Sequence, residues 1–577
     1  MSPGWLAASA LLTPLVLATA LFVAPRRFRL WAATPWAALP GVGLAFAPEF
    51  KVELPSLLLG MSLGLDATGR VFLIFTALLW LISGLYAGIY LAADSKRSRF
   101  AGFFLGAMAG NLGVLLAQDV TSFYLFFALM TLSVYGLVVH EGGKAPDRAG
   151  RIYLILAVLG EAILLIAFLL SASAAESLSL DRIPQAVAAS PLRNLILTLF
   201  LGGFGVKVGL LGLHVWLPLA HPVAPTPASA VLSGVIIKAG LMGWLRFLPL
   251  GQEAIPGWGY GVMAGGLAAA FYGAGVGLVQ KDSKTVLAYS SISQMGIITV
   301  PIGIALAVPT DWPAALTAVS VYAVHHAFAK GALFLGAGVA RTVARDKKRL
   351  AWIMAGLLIP ALSLAGAPFT TGALAKDALK RAMKAVPEPW QDMLAWMLSL
   401  AAIGTTVLLM RFLYLVRNEA LAGRPGGSEF RSLGYTWGLA VLGVLTLSWI
   451  MFTDPARAFL EHALEPAVLW SESWPVGSGI LLAWLFGLTF IGIAPRIPAG
   501  DLLVPIERLV LAVWKSITLL WSKARQRRPA HVPWKRLSVW LGQSLTEGQA
   551  WLESTAVSGT LLILLVLFFA LALLSTH

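Results

Sequence analysis

Runs of about 20 apolar residues follow one another along almost the whole of this 577-residue chain, separated by short polar links. That length matches the hydrocarbon thickness of a bilayer, where a helix satisfies its backbone polar groups within one segment. The runs lie near 5–23, 31–48, 70–92, 100–117, 120–140, 152–172, 194–213, 224–249, 258–279, 285–306, 313–339, 351–379, 391–415, 433–452, 478–494 and 555–575. With 58% hydrophobic and only 12% charged residues, and a mean hydropathy of +0.81, a soluble fold of this size has nowhere to hide the apolar surface. The chain is therefore read as an all-α polytopic membrane protein of about 14–16 transmembrane helices.

The charges follow the links. Arg26, Arg27 and Arg29 follow the first run, Lys96, Arg97 and Arg99 the third, and Lys144, Arg148 and Arg151 the fifth. Lys281 and Lys284 follow the ninth, Arg341 to Arg349 the eleventh, and Arg417, Arg424 and Arg431 the thirteenth. The alternate links are mostly acidic or neutral, with Glu49, Glu53, Asp66, Asp119, Glu253, Asp311 and then Asp454, Glu461, Glu465 and Glu472. Only Lys380, Arg381 and Lys384 break the alternation. The positive-inside rule then predicts both termini outside. It also assigns the net charge of +15 to topology, so a nucleic-acid partner is not expected. The first run has its positive charges behind it rather than before it, which predicts a retained helix instead of a signal peptide. There are no cysteines, which excludes disulfides, thiolate metal sites and iron–sulfur ligation in this chain. Five tryptophans interleaved with basic residues over 500–552 predict an amphipathic helix along the lipid headgroups, before a last span at 553–577.

Several ionisable residues sit within the apolar runs. Lys207 and Lys238 flank His214, His221 and the four prolines Pro218, Pro222, Pro225 and Pro227. A lysine at mid-membrane costs roughly 2.5–3.5 kcal/mol on insertion scales, so it marks function and suggests a route for protons or small cations. His326 and Lys330 are four residues apart and share one helix face, which Tyr322 continues by a turn. Histidine beside lysine can pass a proton near neutral pH. His325 points elsewhere on the same helix and is assigned to packing. Lys376, followed by Asp377, lies where Gly366, Pro368 and Gly372 should unwind the helix. Glu161 is the one acid well inside a span, suited to pair with a buried lysine. Lys207 and Lys376 fall at matching places in two groups of five spans, 100–250 and 256–416. Interrupted helices at corresponding positions are the pattern of inverted repeats, so two inverted five-helix repeats are expected, each with a broken helix. Residues 1–99 would form three preceding helices, and 430–495 two following ones.

The segments HVWLPLAHPVAPTPASAVLSGVIIKAG, QKDSKTVLAYSSISQMG, HHAFAKGALFLGAG and AGAPFTTGALAKD together resemble the proton-antiporter-type membrane subunits. That family includes the antiporter-like subunits of respiratory complex I, of multi-subunit cation antiporters and of energy-converting hydrogenases. LHVWLPLAHPVAP followed by SGVIIKAG is most similar to the large antiporter-like subunit of group 4 hydrogenases, of the hydrogenase-4 and formate hydrogenlyase type. The resemblance implies a proton pathway through Lys207, Lys238, His326, Lys330 and Lys376. It departs in the fifth span, where Ala128 stands in place of the family's glutamate partner for Lys207, and Leu219 replaces a family aspartate. Glu161, on the neighbouring span, is the expected substitute.

The expectation is an ion-translocating subunit in a prokaryotic cytoplasmic membrane, moving protons or sodium along buried Lys and His residues. It holds no cofactor and performs no redox chemistry. Its partners would be lipids, other membrane subunits and an iron–sulfur peripheral arm. The alternatives are a subunit of a secondary cation/proton antiporter without a redox arm, and a partly degenerate scaffold.

Overall fold

The computed structural model describes residues 3–23, 30–57, 60–343, 346–422, 430–485, 497–500 and 502. The amphipathic helix expected over 500–552 and the last span at 553–577 therefore lie outside the described residues, apart from positions 500 and 502.

The chain opens with α1 (Pro3–Val23), a 3-10 stretch (Leu30–Ala38) running into α2 (Leu39–Leu44), and a hairpin of β1 (Phe50–Leu54) and β2 (Met61–Leu65). Then come α3 (Ala67–Tyr90), α4 (Arg97–Leu116), α5 (Val120–Val138), α6 (Lys144–Ala175), the short α7 (Ile183–Ala189), α8 (Arg193–Val208) and α9 (Trp216–Val223). α10 (Thr226–Val231) passes through a π-helical turn (Leu232–Ile236) into α11 (Ile237–Phe247). They are followed by α12 (Pro256–Leu278), α13 (Ser283–Ala307), α14 (Trp312–Val343), α15 (Lys347–Ala365), α16 (Thr371–Met383) and α17 (Trp390–Ala422). α18 (Phe430–Met451), α19 (Thr453–Leu460) and α20 (Pro466–Leu485) complete the described chain.

Twelve of these segments are long and apolar enough to cross a membrane, with α10, the π turn and α11 counted as one. Two expected spans are built differently. The run at 31–48 is 3-10 helix and a six-residue α-helix rather than one continuous span. The hairpin after it was not expected. Its strand β1 alternates Phe50, Val52 and Leu54 with Lys51 and Glu53, the two-residue period of a half-buried strand. The run at 194–213 stops as a helix at Val208.

Both expected helix breaks are present. α8 ends at Gly209, whose φ of +82° closes the helix with a left-handed residue, and the chain turns before α9 starts. α15 ends the same way at Gly366, with φ of +74°. Phe369 follows at φ of +59°, an unusual conformation for an aromatic residue, before the Thr370 hydroxyl caps α16 by accepting from Ala373 N at 3.3 Å. Aspartates start four of the spanning helices in the same manner, Asp346 at α15 among them. Asp66 accepts from Gly69 N at 2.7 Å, Asp119 from Ser122 N at 2.8 Å, and Asp282 from Thr285 N at 2.8 Å.

α13 is buried along its whole length, as are α10, all of α11 but Arg246, and the middle of α14. These elements form the centre of the molecule. The outer face of α6 exposes Ile155, Val158, Leu159, Ile166 and Leu169, as an apolar helix does when lipid is its solvent. α12 lies against α13 along a seam of glycines. A Cβ on Gly259 would stand 2.6 Å from Gly303 O, and one on Gly266 would stand 2.5 Å from Gly296 O. Small residues at such spacing let two backbones touch, which is how helices bind one another where no hydrophobic force drives them together.

Candidate functional site

Lys238 and His326 form the centre of the polar row. Lys238 comes from α11 and His326 from α14, and both are fully buried. Lys238 Nζ meets His326 Nδ1 at 2.5 Å and donates to Ser233 O at 2.8 Å. Ser233 lies in the π turn, where Ile237 N–H bonds Leu232 O five residues back. The widened turn gives the lysine a carbonyl within its own helix, a use typical of π-bulges. The Ser233 hydroxyl shares a hydrogen bond with Ser291 Oγ at 2.8 Å, and Ser291 Oγ donates to Leu287 O at 3.0 Å. Lys330 Nζ donates to that same Leu287 carbonyl at 2.8 Å. Three helices thus place two amines and an imidazole along one hydrogen-bonded line. His326 Nε2 has no hydrogen-bond partner among the described residues.

Lys207 stands to one side, on the last turn of α8. Gly240 of α11 packs against it, since a Cβ there would sit 3.1 Å from Lys207 Cβ. Its Nζ donates to Thr131 Oγ1 at 2.8 Å and Tyr153 OH at 3.2 Å, and lies 5.2 Å from the centre of the Phe127 ring. Two hydroxyls and an aromatic face thus surround the amine, and Ala128 offers no charge one turn from Thr131. The carboxylate whose charge reaches Lys207 is Glu161, half-buried on α6. Thr131 and Tyr153 were not singled out from sequence, because a hydroxyl inside an apolar run leaves no trace in the pattern.

On the other side, Lys376 is held by the broken end of α15. Its Nζ donates to Ala365 O at 2.6 Å and Gly366 O at 3.4 Å, two carbonyls at the negative end of a helix. The approach depends on Gly366, because a Cβ there would stand 2.2 Å from Lys376 Cε. Between this lysine and the centre lies His325. It does more than pack: Nδ1 is 3.0 Å from Thr371 Oγ1 and 3.4 Å from Ser363 Oγ, and its ring feels the charges of both Lys376 and Lys238. Tyr322 OH donates to Gln294 Oε1 at 2.9 Å, and Gln294 Nε2 to Thr405 Oγ1 at 3.1 Å. These three residues line a cavity of about 220 Å³ that reaches Lys376 and Lys380.

The remaining expected residues are placed unevenly. His221 is buried on α9 with its ring stacked on Phe334 at 4.7 Å, and Phe334 lies one turn from Lys330. His214 sits in the break before α9, with Nδ1 accepting from Gly212 N at 3.2 Å and its ring beside Tyr272. Asp377 faces Arg381 at 2.8 Å and His462 at 3.3 Å rather than Lys376. Buried charges were also missed, among them Arg411 on α17 and Asp119 at the start of α5. Lys284, assigned to a link, donates to Ala224 O at 2.7 Å at the end of α9. Glu472, also assigned to a link, lies inside α20 at 3% exposure.

A family model described as NADH:quinone oxidoreductase/Mrp antiporter, TM, matches residues 117–406, half of the chain. Among curated proteins, hydrogenase-4 component B of Escherichia coli (strain K12) is 31% identical over 346 residues, covering 57% of this chain and 51% of its own length. The chain thus spans about half the length of the curated relatives it matches. In fold it is similar to a chain of the Mrp complex from Dietzia sp. DQ12-45-1b, with a TM-score of 0.76 and 22% identity over 95% of this chain and 63% of that one. It is likewise similar to a chain of the membrane-bound sulfane sulfur reductase, an archaeal respiratory membrane complex, with a TM-score of 0.67 and 23% identity over 94% of this chain and 99% of that one.

Proposed function

Because this chain belongs to the NADH:quinone oxidoreductase/Mrp antiporter membrane family, we propose that it is an ion-translocating subunit of a redox-driven membrane complex of hydrogenase type. The observation that carries this reading is the line from His326 through Lys238, Ser233, Ser291 and the Leu287 carbonyl to Lys330, buried in a protein of otherwise apolar helices. Side chains of this kind within a membrane line proton relays. Protons pass along Lys207, Lys238, His326, Lys330 and Lys376, with His325 and Thr371 joining the last lysine to the centre. Glu161 takes the place of the missing fifth-span acid beside Lys207. Partner subunits in the same membrane and an iron–sulfur peripheral arm supply the redox energy, and this chain contributes the pathway. The chain sits in a prokaryotic cytoplasmic membrane with both termini outside. The scarcity of carboxylates in the row favours protons over sodium, since sodium prefers oxygen ligands.

The test is Lys238→Met in the intact complex, assayed in everted vesicles. Proton translocation should be abolished while the complex still assembles. Undiminished translocation sinks the role of Lys238. The second reading, a cation/proton antiporter subunit without a redox arm, draws on the antiporter half of the family description. Purifying the complex separates the two: iron–sulfur or nickel-containing companions favour the first, and small membrane subunits alone favour the second.

A further inference from the structure

The cavity beside Lys376 is walled on one side by α20, an element beyond the residues matched to the family. Ser471 and Pro475 of that helix line it, facing Lys376 and Lys380 of α16 and Ser399 of α17. Lys380 Nζ donates to Ser471 Oγ at 3.2 Å, which ties α16 to α20 at the cavity's rim. The residue next to Ser471 is Glu472, at 3% exposure. The charges near enough to act on it are those of Lys380, Lys376, Asp377 and His462. Of the two acids in this group, Asp377 is already bonded to Arg381 and His462. Among the described residues Glu472 is thus the acid left to answer Lys376, whose amine donates to the carbonyls of Ala365 and Gly366.

We propose that Glu472 is the proton-exchange partner of Lys376, and that the two pass a proton through the cavity between the buried row and the surface. In this step an N–H bond of the Lys376 ammonium breaks and an O–H bond of Glu472 forms. The carboxyl group then releases the proton to water, and the lysine is left neutral to accept the next proton from the row. The cavity that Lys376 and Ser471 line has room for several waters, and Glu472 follows Ser471 directly in the chain. Because the pair is electrostatically linked, the charge of each sets the readiness of the other, so neither works as an independent site. The inference rests on the proposed translocation and adds a residue from outside the family's matched region.

The experiment uses the intact complex in vesicles and compares Glu472→Gln with Glu472→Asp. The amide of Glu472→Gln keeps the shape and removes the proton-binding site, so translocation should fall by at least about tenfold. The shorter acid of Glu472→Asp restores the carboxylate and should recover most of the rate at equal levels of assembled complex. The absence of cysteine from the chain adds a second probe. A thiol introduced by Ser399→Cys is the one thiol of this chain, and its reaction with a membrane-impermeant cationic thiosulfonate should slow translocation relative both to the unlabelled variant and to the wild-type complex treated in the same way. Wild-type rates in Glu472→Gln overturn the proposal, and so do equal losses in the two Glu472 variants. Should Glu472→Gln fail to assemble, a Ser399→Cys complex that stays fully active after labelling overturns it instead. A wild-type complex that moves no protons refutes the proposed function, which is a different outcome from either.

Discussion

The contact between Gly366 and Lys376 gives the sharpest test of how the second helix break works. Gly366→Ala introduces two separate problems. The first is conformational, because an alanine at φ of +74° loses about 1–2 kcal/mol to its own Cβ. The second is steric. The new Cβ would stand 2.2 Å from Lys376 Cε and 2.3 Å from Nζ, so the lysine must withdraw from Ala365 O and Gly366 O. A hydrogen bond to a charged group contributes about 1.5–3 kcal/mol. Together the substitution should destabilise by about 2.5–5 kcal/mol. In a Lys376→Ala background the side chain is gone, and only the conformational part, about 1–2 kcal/mol, should remain. The coupling in the double-mutant cycle is therefore about 1.5–3 kcal/mol. Denaturation of the four purified complexes, compared as differences, measures it. Gly366→Ala should also impair translocation, since Lys376 is displaced from its seat. An equal loss of stability from Gly366→Ala in both backgrounds would show that the lysine is not held against the glycine, and the account of the break would fail.

Other outcomes follow from the same structure. Glu161→Gln should lower translocation by about tenfold or more, and adding Ala128→Glu to it should restore part of the rate; no loss in the single variant would remove Glu161 from the pathway. Asp66→Ala deletes the cap of α3, worth about 1 kcal/mol, and strands Arg246, which donates to Asp66 Oδ1 at 2.9 Å. Its thermal destabilisation should exceed that of Asp346→Ala, whose partners at the start of α15 are exposed; the reverse order would refute the reasoning. Near one rim of the bundle, burial holds the His140 imidazole below the ordinary histidine range even though Asp94 lies 2.9 Å away and pulls the other way. The unfolded chain then binds the proton more readily, so this stability is present above about pH 6.5 and is lost as the pH falls below it. Melting curves should show a smaller loss between pH 7 and 5 in His140→Gln than in the wild type.

Much of the fold was legible because a bilayer imposes one length and one composition on every span. The break at Gly366 was legible for a related reason, since glycine and proline inside an apolar run have few other uses; the first break was expected at the prolines from Pro218 on, and the helix ends earlier, at Gly209. Hydropathy is silent where the helix axis and the apolar run part company. α20 begins at Pro466, a dozen residues before the apolar run that suggested it, so Glu472 was taken for a link residue when a neighbouring helix buries it. Lys284 was hidden in the same way, at the start of α13 beneath the end of α9. β1 carries a clear strand alternation, but over only five residues beside far stronger helical signals. The ionisable members of the site were visible as anomalies in apolar surroundings. Their uncharged partners were not, since Thr131, Ser233 and Thr371 look like ordinary helix residues until the fold brings a lysine or a histidine to them. His325 was set aside on angle alone, and it turned out to face a third helix that angle could not foresee.

The glycine seam between α12 and α13 has a consequence for the whole row. Ser291, Gln294 and the Leu287 carbonyl all belong to α13, and they set how far Lys330, Tyr322 and Ser233 stand from one another. Because α12 touches α13 backbone to backbone, the distance between them is fixed by atoms that have no rotamers to adjust. The seam acts as a gauge block: one added methyl group at Gly266 or Gly296 shifts the datum from which every proton hop in the centre is measured.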